Sequence, residues 1–253
     1  MANFLRLFLS SAVGVSITLN AFAKDLDVAF GQNRPPFIFQ ESGKWKGLEV
    51  DIVQEALSYK GHSIRSSAHM VNRRLEIAVA QMDYDAAAGV QYIDDGTFYS
   101  NSFVTYINYA ISRAGEGVVI NSIQDLTKYK PAAWQNAYRN LGSEFVKYYG
   151  PESDGDYLKD YMEFGNQEAQ NAFFWAGRAN VIIVDKFIFL WYRKQLANQY
   201  NTGVDLVFHK IFPKETSYQV NFRDKNLRDD FNEGLQFLRE SGRYQQLFDQ
   251  YIQ

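Results

Sequence analysis

Cysteine is absent from the 253 residues of this chain, which excludes disulfides, thiol nucleophiles and thiolate metal sites together. Histidine is nearly absent. Its three copies, His62, His69 and His209, are scattered, with no HExxH pair and no spacing that gathers metal ligands. A G-x-S-x-G nucleophile elbow and a phosphate-cradling loop are also missing. Positive charge is not in excess either: the net charge is −3, so no basic footprint points to nucleic acid. Beyond residue 23 no apolar run is long enough to span a bilayer, and no low-complexity stretch reads as a flexible tether. Nothing here calls for a catalytic residue, a metal or a cofactor, and the chain reads as a non-enzyme.

Aromatic side chains, by contrast, are abundant at 16%, with 17 Tyr and 20 Phe. The length supports one large domain or two small ones with real cores. The amino terminus reads as a secretory signal over residues 1–23. Arg6 gives the positive start, Leu7 to Leu19 is mostly apolar or small, and Ala21-Phe22-Ala23 fits the small-x-small cleavage pattern. The mature chain is expected to begin at Lys24, with net charge −4 once Arg6 is removed.

The most informative stretch is Ala176 to Trp191. Gly177 suits the position just past a helix end. Val181 to Val184 are four consecutive β-branched residues, the pattern of a strand buried on both faces. Asp185 follows at its carboxyl end, where open α/β sheets bind ligands. An aspartate there is either a helix N-cap or a ligand contact, and one carboxylate can serve as both.

Along the rest of the chain, Leu26 to Phe30 reads as a first strand, followed by a loop held extended by Pro35 and Pro36. Gly43 and Gly47 flank Lys44-Trp45-Lys46, an expected hairpin turn, and Leu48 to Leu57 shows helical spacing. A strand near Ser63 to Ala68, a helix over Leu75 to Gln81 and a small-residue strand ending at Gly89 come next. The plan of helix, polar turn and buried strand recurs before Asp185, so two α/β lobes are expected to present strand ends to one crevice. Val104 to Ser112 is extended. The later part is expected to hold Ile123 to Leu126, a strand at Ala132 to Gln135, a helix from Tyr138, a surface turn at Pro151 to Asp156 and a returning strand at Asp205 to Ile211. Two closing helices surround Ser241-Gly242. Glu163 and Glu168 read as a solvated face.

Seven short segments then fall in a telling order: Pro36-Phe37, Gly47 to Asp51, Met82-Asp83-Tyr84-Asp85, Tyr99 to Phe103, Ile120 to Leu126, Gly177 to Asp185, and Asn232 to Tyr244. Together they span Asp25 to Tyr251, and the ordering resembles the periplasmic solute-binding proteins of the amino-acid-binding, family 3 type. The resemblance implies an α/β fold of two lobes with a ligand cleft between them, joined by two hinge strands (periplasmic binding protein-like, type II). Residues 24–111 and 208–253 would form lobe 1, and 112–207 lobe 2. It also implies a monomer in the periplasm that captures a small-molecule ligand, a small polar molecule such as an amino acid or a related amine or nitrogenous solute, by lobe closure and delivers it to an ABC transporter permease in the inner membrane. A ligand-sensing subunit for a membrane receptor is a second reading. A cyclohexadienyl-dehydratase-like enzyme, using Asp185 or Glu168 as its acid, is a third.

By the same resemblance, Asp185 matches the position that pairs with a ligand ammonium. Gln135 and Asn136 match a segment before a helix N-terminus whose backbone donors receive an anion, and Gly89, Val90 and Gln91 match a strand end whose backbone meets the ligand. The family's carboxylate-clamping arginine, a few residues past Gln91, has no counterpart in Tyr92-Ile93-Asp94-Asp95-Gly96. A guanidinium fork is not replaced by an acid, so Arg34 and Arg73 become the candidates for its role. Gln32 or Asn33 stands where an aspartate is usual. Phe37, Phe39, Trp45, Tyr92 and Trp134 lie near the expected cleft loops, where some would pack and some would offer flat walls to a polar or cationic nitrogen.

Overall fold

A computed structural model describes residues 23–151, 160–212 and 215–252. The expected signal segment up to residue 22, and all but the first residue of the expected turn at 151–156, lie outside the described residues. Strand β1 (Asp25–Phe30) opens a first sheet. A hairpin follows, β2 (Phe39–Glu41) and β3 (Lys44–Lys46). Lys44-Trp45-Lys46 is therefore the second strand and not the turn. The turn is Ser42-Gly43, where both residues hold positive φ. Helix α1 (Leu48–Ser58) buries Leu48, Ile52, Val53, Ala56 and Leu57 along one stripe, and β4 (Ser63–His69) runs parallel to β1.

The single helix expected over 75–81 is broken into α2 (Asn72–Leu75) and α3 (Ala78–Gln81), with Ile77 at φ −107° and ψ 1° between them. An unbroken helix would put Glu76 and Val79 on one face. The break sends Val79 into the core and leaves Glu76 facing a cavity. Strand β5 (Ala86–Val90) is buried throughout. Then come β6 (Phe98–Tyr99), β7 (Val104–Tyr106) and β8 (Asn108–Arg113).

The segment expected at Ile123 to Leu126 contributes to a 3₁₀ turn at Gln124–Lys128, and β9 (Pro131–Trp134) follows. In place of a helix from Tyr138 there is a short 3₁₀ turn at Ala137–Arg139. The true helix, α4 (Ser143–Tyr149), begins after Gly142. The chain continues through β10 (Met162–Phe164), α5 (Gln167–Trp175), β11 (Val181–Asp185), α6 (Lys186–Gln195) and β12 (Leu206–His209). It ends with β13 (Thr216–Phe222), α7 (Lys225–Glu240) and α8 (Arg243–Tyr251).

Two sheets result. The first has the order β4-β1-β5-β13-β6, with β7 also on β13, and the second has the order β10-β9-β11-β8-β12. The chain changes sheet at Ile107 and again between His209 and Thr216. Both β8 and β12 lie in the second sheet, so the expected boundaries at 111/112 and 207/208 fall inside strands of that sheet. The returning strand is β13, not Asp205 to Ile211, because residues 206–209 pair with β8. Apolar side chains of β11 point both ways: Ile182 and Val184 join the cluster that includes Phe30, Phe103 and Phe189. Val181 and Ile183 join Phe145 and Tyr149 on the other face. That double burial is the physical reason for an apolar run without alternation.

Candidate functional site

The carboxyl ends of β5, β9, β10 and β11 converge on a crevice between the sheets. Three neighbouring cavities occupy it. The outer one, about 160 Å3, is bounded by Gly89 to Ile93 and by Gln135, Asn136, Arg139 and Asn140. Two deeper ones, about 20 and 10 Å3, share Arg34, Asn72, Trp134 and Gln167. Direct contacts bridge the crevice: Arg139 Nη1 reaches Glu76 Oε2 at 2.8 Å, and Asn140 Nδ2 donates to the Tyr218 hydroxyl at 3.3 Å.

Asp185 caps α6 and lines the deepest cavity at once. One carboxylate oxygen accepts from the backbone N–H groups of Phe187 at 2.7 Å and Ile188 at 3.1 Å. The other accepts from Ile107 N–H at 2.7 Å, and so grips the residue where the chain crosses between sheets. Asp185 is 2% exposed. Burial pushes its pKa up to about 6 against the opposing pull of those three N–H groups. Asp185 is thus the helix N-cap, borders the crevice and also ties down the first crossover.

Arg34 faces the same cavity from the first sheet. It is 5% exposed, and its Nη2 lies 3.3 Å from Glu49 Oε2. Glu49 also accepts from the Tyr106 hydroxyl at 2.5 Å. Burial works against the charge of Arg34, yet the Glu49 carboxylate holds its pKa above the ordinary arginine range. The guanidinium carbon lies 5.9 Å from the centre of the Tyr106 ring and 6.0 Å from that of Tyr218. It spreads over the strand ends so closely that a Cβ on Gly31 would collide with it. A Cβ on Gly89, itself at φ 85°, would meet Arg34 Nη2 at 2.7 Å and Glu49 Oε2 at 2.9 Å. Arg34 Nε is buried with no partner among the described residues, as are Gln167 Oε1 and Asn136 Nδ2. All three residues border the crevice. Buried polar groups left unpaired are costly.

The structure gathers Gly89, Val90, Gln91, Tyr92, Gln135 and Asn136 around the outer cavity, with Arg34 and Asp185 below. Other expected contacts fall elsewhere. Phe37 is fully buried and stacks on Tyr106 at 4.1 Å, so it packs the wall from behind. Phe39 packs against Trp191 with the rings tilted by 47°. Trp45 stacks on His69 and borders a separate groove, because it sits on the hairpin strand. Arg73 is exposed and borders none of the three crevice cavities, since α2 turns it outward. Asn33 offers only its carbonyl, to the Tyr192 hydroxyl at 3.4 Å, whereas its neighbour Gln32 reaches the crevice.

The expected anion donors are occupied from within. Asn136 N–H donates to Glu163 Oε2 at 2.9 Å and Gln135 N–H to the Phe164 carbonyl at 2.9 Å. Glu163 is thus a structural acceptor and not simply part of a solvated face. Sequence reasoning missed Glu49, Asn72, Tyr106, Gln167 and Tyr218. No local signal marks them, since each reaches the site through pairing or packing far along the chain.

The sequence profile of the bacterial extracellular solute-binding proteins, family 3, matches residues 26–253. No curated protein matches the chain. Among solved structures, an ancestral arginine-binding protein bound to arginine superposes with TM-score 0.72 at 20% identity, over 90% of this chain and 98% of that one. An arginine-binding protein mutant from T. maritima gives 0.67 at 20% identity, over 89% and 95%. The arginine-, lysine-, histidine-binding protein ArtJ from Geobacillus stearothermophilus gives 0.70 at 16% identity, over 89% and 95%. At these identities the likeness speaks for the two-lobed type II periplasmic binding fold.

Proposed function

The chain belongs to the bacterial extracellular solute-binding proteins of family 3, and from that premise we propose that it captures a small amino acid or closely related zwitterion between its lobes. The observation that carries this reading is the pairing of Arg34 with Asp185 across one cavity. A guanidinium with an unpartnered Nε suits a ligand carboxylate, and a buried carboxylate suits a ligand ammonium. Arg34 takes the clamp role from a new direction, the loop after β1. The lobes are assigned as 24–106 with 216–253, and 108–209, with the hinge at the two crossovers. Ligand contacts come from Arg34, Asp185, Gln167 and the backbone of Gly89 to Gln91, with Asn136 supplying a side-chain amide.

Closure stabilises the complex because the ligand meets both lobes only when they are together. Glu76–Arg139 and Asn140–Tyr218 add direct bonds to that state. The protein is read as a periplasmic binder that hands its cargo to an ABC permease, with no chemistry of its own. Calorimetry against amino acids and their decarboxylated and deaminated analogues tests it: the intact zwitterion should bind at least tenfold tighter than either. An analogue lacking one of the two groups that binds as well as the parent compound would overturn the assignment.

A further inference from the structure

A further cavity borders the first sheet outside the crevice. A groove of about 350 Å3 runs between α1 and β4, more than twice the volume of the outer crevice cavity. It lies along the free edge of the first sheet, where β4 is terminal. Nothing in the ligand-capture reading uses it.

Its chemistry is distinctive. Among the described residues no Asp, Glu, Lys or Arg lines it, although such residues make up 22% of the chain. Two charged neighbours are engaged elsewhere, Glu55 with Arg243 and Lys60 with Glu233, while His62, on the groove wall, has its Nε2 occupied by Asp230 Oδ2 at 2.9 Å. Val50, Ile64 and Phe30 supply apolar wall. At the end nearest the crevice, the His69 ring stacks on Trp45 at 3.7 Å and on Phe30 at 5.5 Å, within 15° of parallel to each. His69 Nδ1 lies 3.2 Å from the Gly31 carbonyl. A carbonyl only accepts, so Nδ1 carries the hydrogen and Nε2 keeps a lone pair. Burial holds the pKa of His69 down at about 4, so that lone pair is present at neutral pH. Nε2 is buried and has no partner among the described residues. Gln54 and Ser67, also on the groove, have side chains with no hydrogen-bond partner among the described residues.

We propose that this groove is a second binding site, for an uncharged small molecule bearing several hydroxyl groups, a sugar being the simplest fit. One hydroxyl would donate to His69 Nε2. Others would exchange hydrogen bonds with Gln54 and Ser67, and the C–H surface of the ring would rest on the aromatic and aliphatic wall. With no Asp, Glu, Lys or Arg on its wall among the described residues and His62 already bonded to Asp230, the groove disfavours amino acids and ions, so this site and the crevice select different chemistry. A neutral ligand leaves no buried charge unpaired.

The test uses the protein labelled for NMR and titrated with methyl β-D-glucopyranoside. Saturable shifts are expected at the Trp45 indole and the Gln54 side-chain amide, with the Arg34 signals unmoved. His69→Phe keeps a stacked ring and removes the lone pair, and should weaken binding about five-fold or more. Ser67→Tyr fills the groove from an exposed position and should abolish the shifts with the melting temperature unchanged. No shift at the groove, shifts confined to the crevice, linear shifts that do not saturate, or full binding by Ser67→Tyr would each overturn the proposal.

Discussion

The sharpest consequence of the crevice geometry concerns pH. In the free protein Asp185 has its pKa pushed up to about 6 by burial. A ligand ammonium stabilises only the ionised form, so binding below that pH must first expel a proton. Affinity for a zwitterion should be flat above about pH 7 and fall about tenfold by pH 5, since one pH unit below a required deprotonation is roughly 1.4 kcal/mol. Near pH 6 about half a proton should be released on binding, seen as a buffer-dependent heat in calorimetry.

The same shift affects stability with a definite sign. The folded pKa lies above the unfolded value of 3.8, so the contribution of Asp185 is fully present below pH 3.8 and is lost as pH rises through about 6. The full difference is about 3 kcal/mol by the same conversion. Asp185→Asn keeps an oxygen for the α6 cap and cannot ionise. It should bind at least tenfold more weakly at pH 8, and its affinity should not vary between pH 5 and 8. His69, with its pKa already near 4, does not titrate in that window. A wild-type affinity that stays constant from pH 8 to 5, or an Asn variant that keeps the wild-type slope, would refute the role given to this carboxylate.

Arg34→Lys retains the charge beside Glu49 but loses Nε and the planar fork, and calorimetry should show binding weakened tenfold or more with a melting temperature within a few degrees. Gly89→Ala places a methyl group against Arg34 and Glu49 at a positive φ, and denaturant unfolding should register a loss of about 1–3 kcal/mol. Glu76→Gln removes the charge from the half-exposed bridge to Arg139. Such pairs are worth up to about 1 kcal/mol, so stopped-flow ligand release should quicken by no more than about five-fold. Faster release with unchanged association would identify the pair as a latch, and unchanged release would remove it from that role.

Several elements of this protein were readable one segment at a time. The unalternating run Val181 to Val184 announced a strand covered on both faces, because only such a strand tolerates apolar residues at every position. The place of Asp185 followed from it, and the α1 stripe was readable from its own helical spacing. The order of short segments carried the family. Local pattern sufficed wherever a residue's environment is set by its own element's periodicity.

Tertiary structure decided the rest. Arg34 in sequence is an arginine beside two prolines. Only the pairing of β1 with β5 brings Gly31 and Gly89 beneath it, and only the placement of α1 gives it Glu49. Whether 206–209 return to the first sheet or stay in the second depends on which partner strand is available, and β8 takes them. The break between α2 and α3, and the capture of the Asn136 N–H by Glu163, likewise arise from competition among distant groups for the same space or the same donor. Such contests are settled by three-dimensional proximity, which a linear pattern does not record.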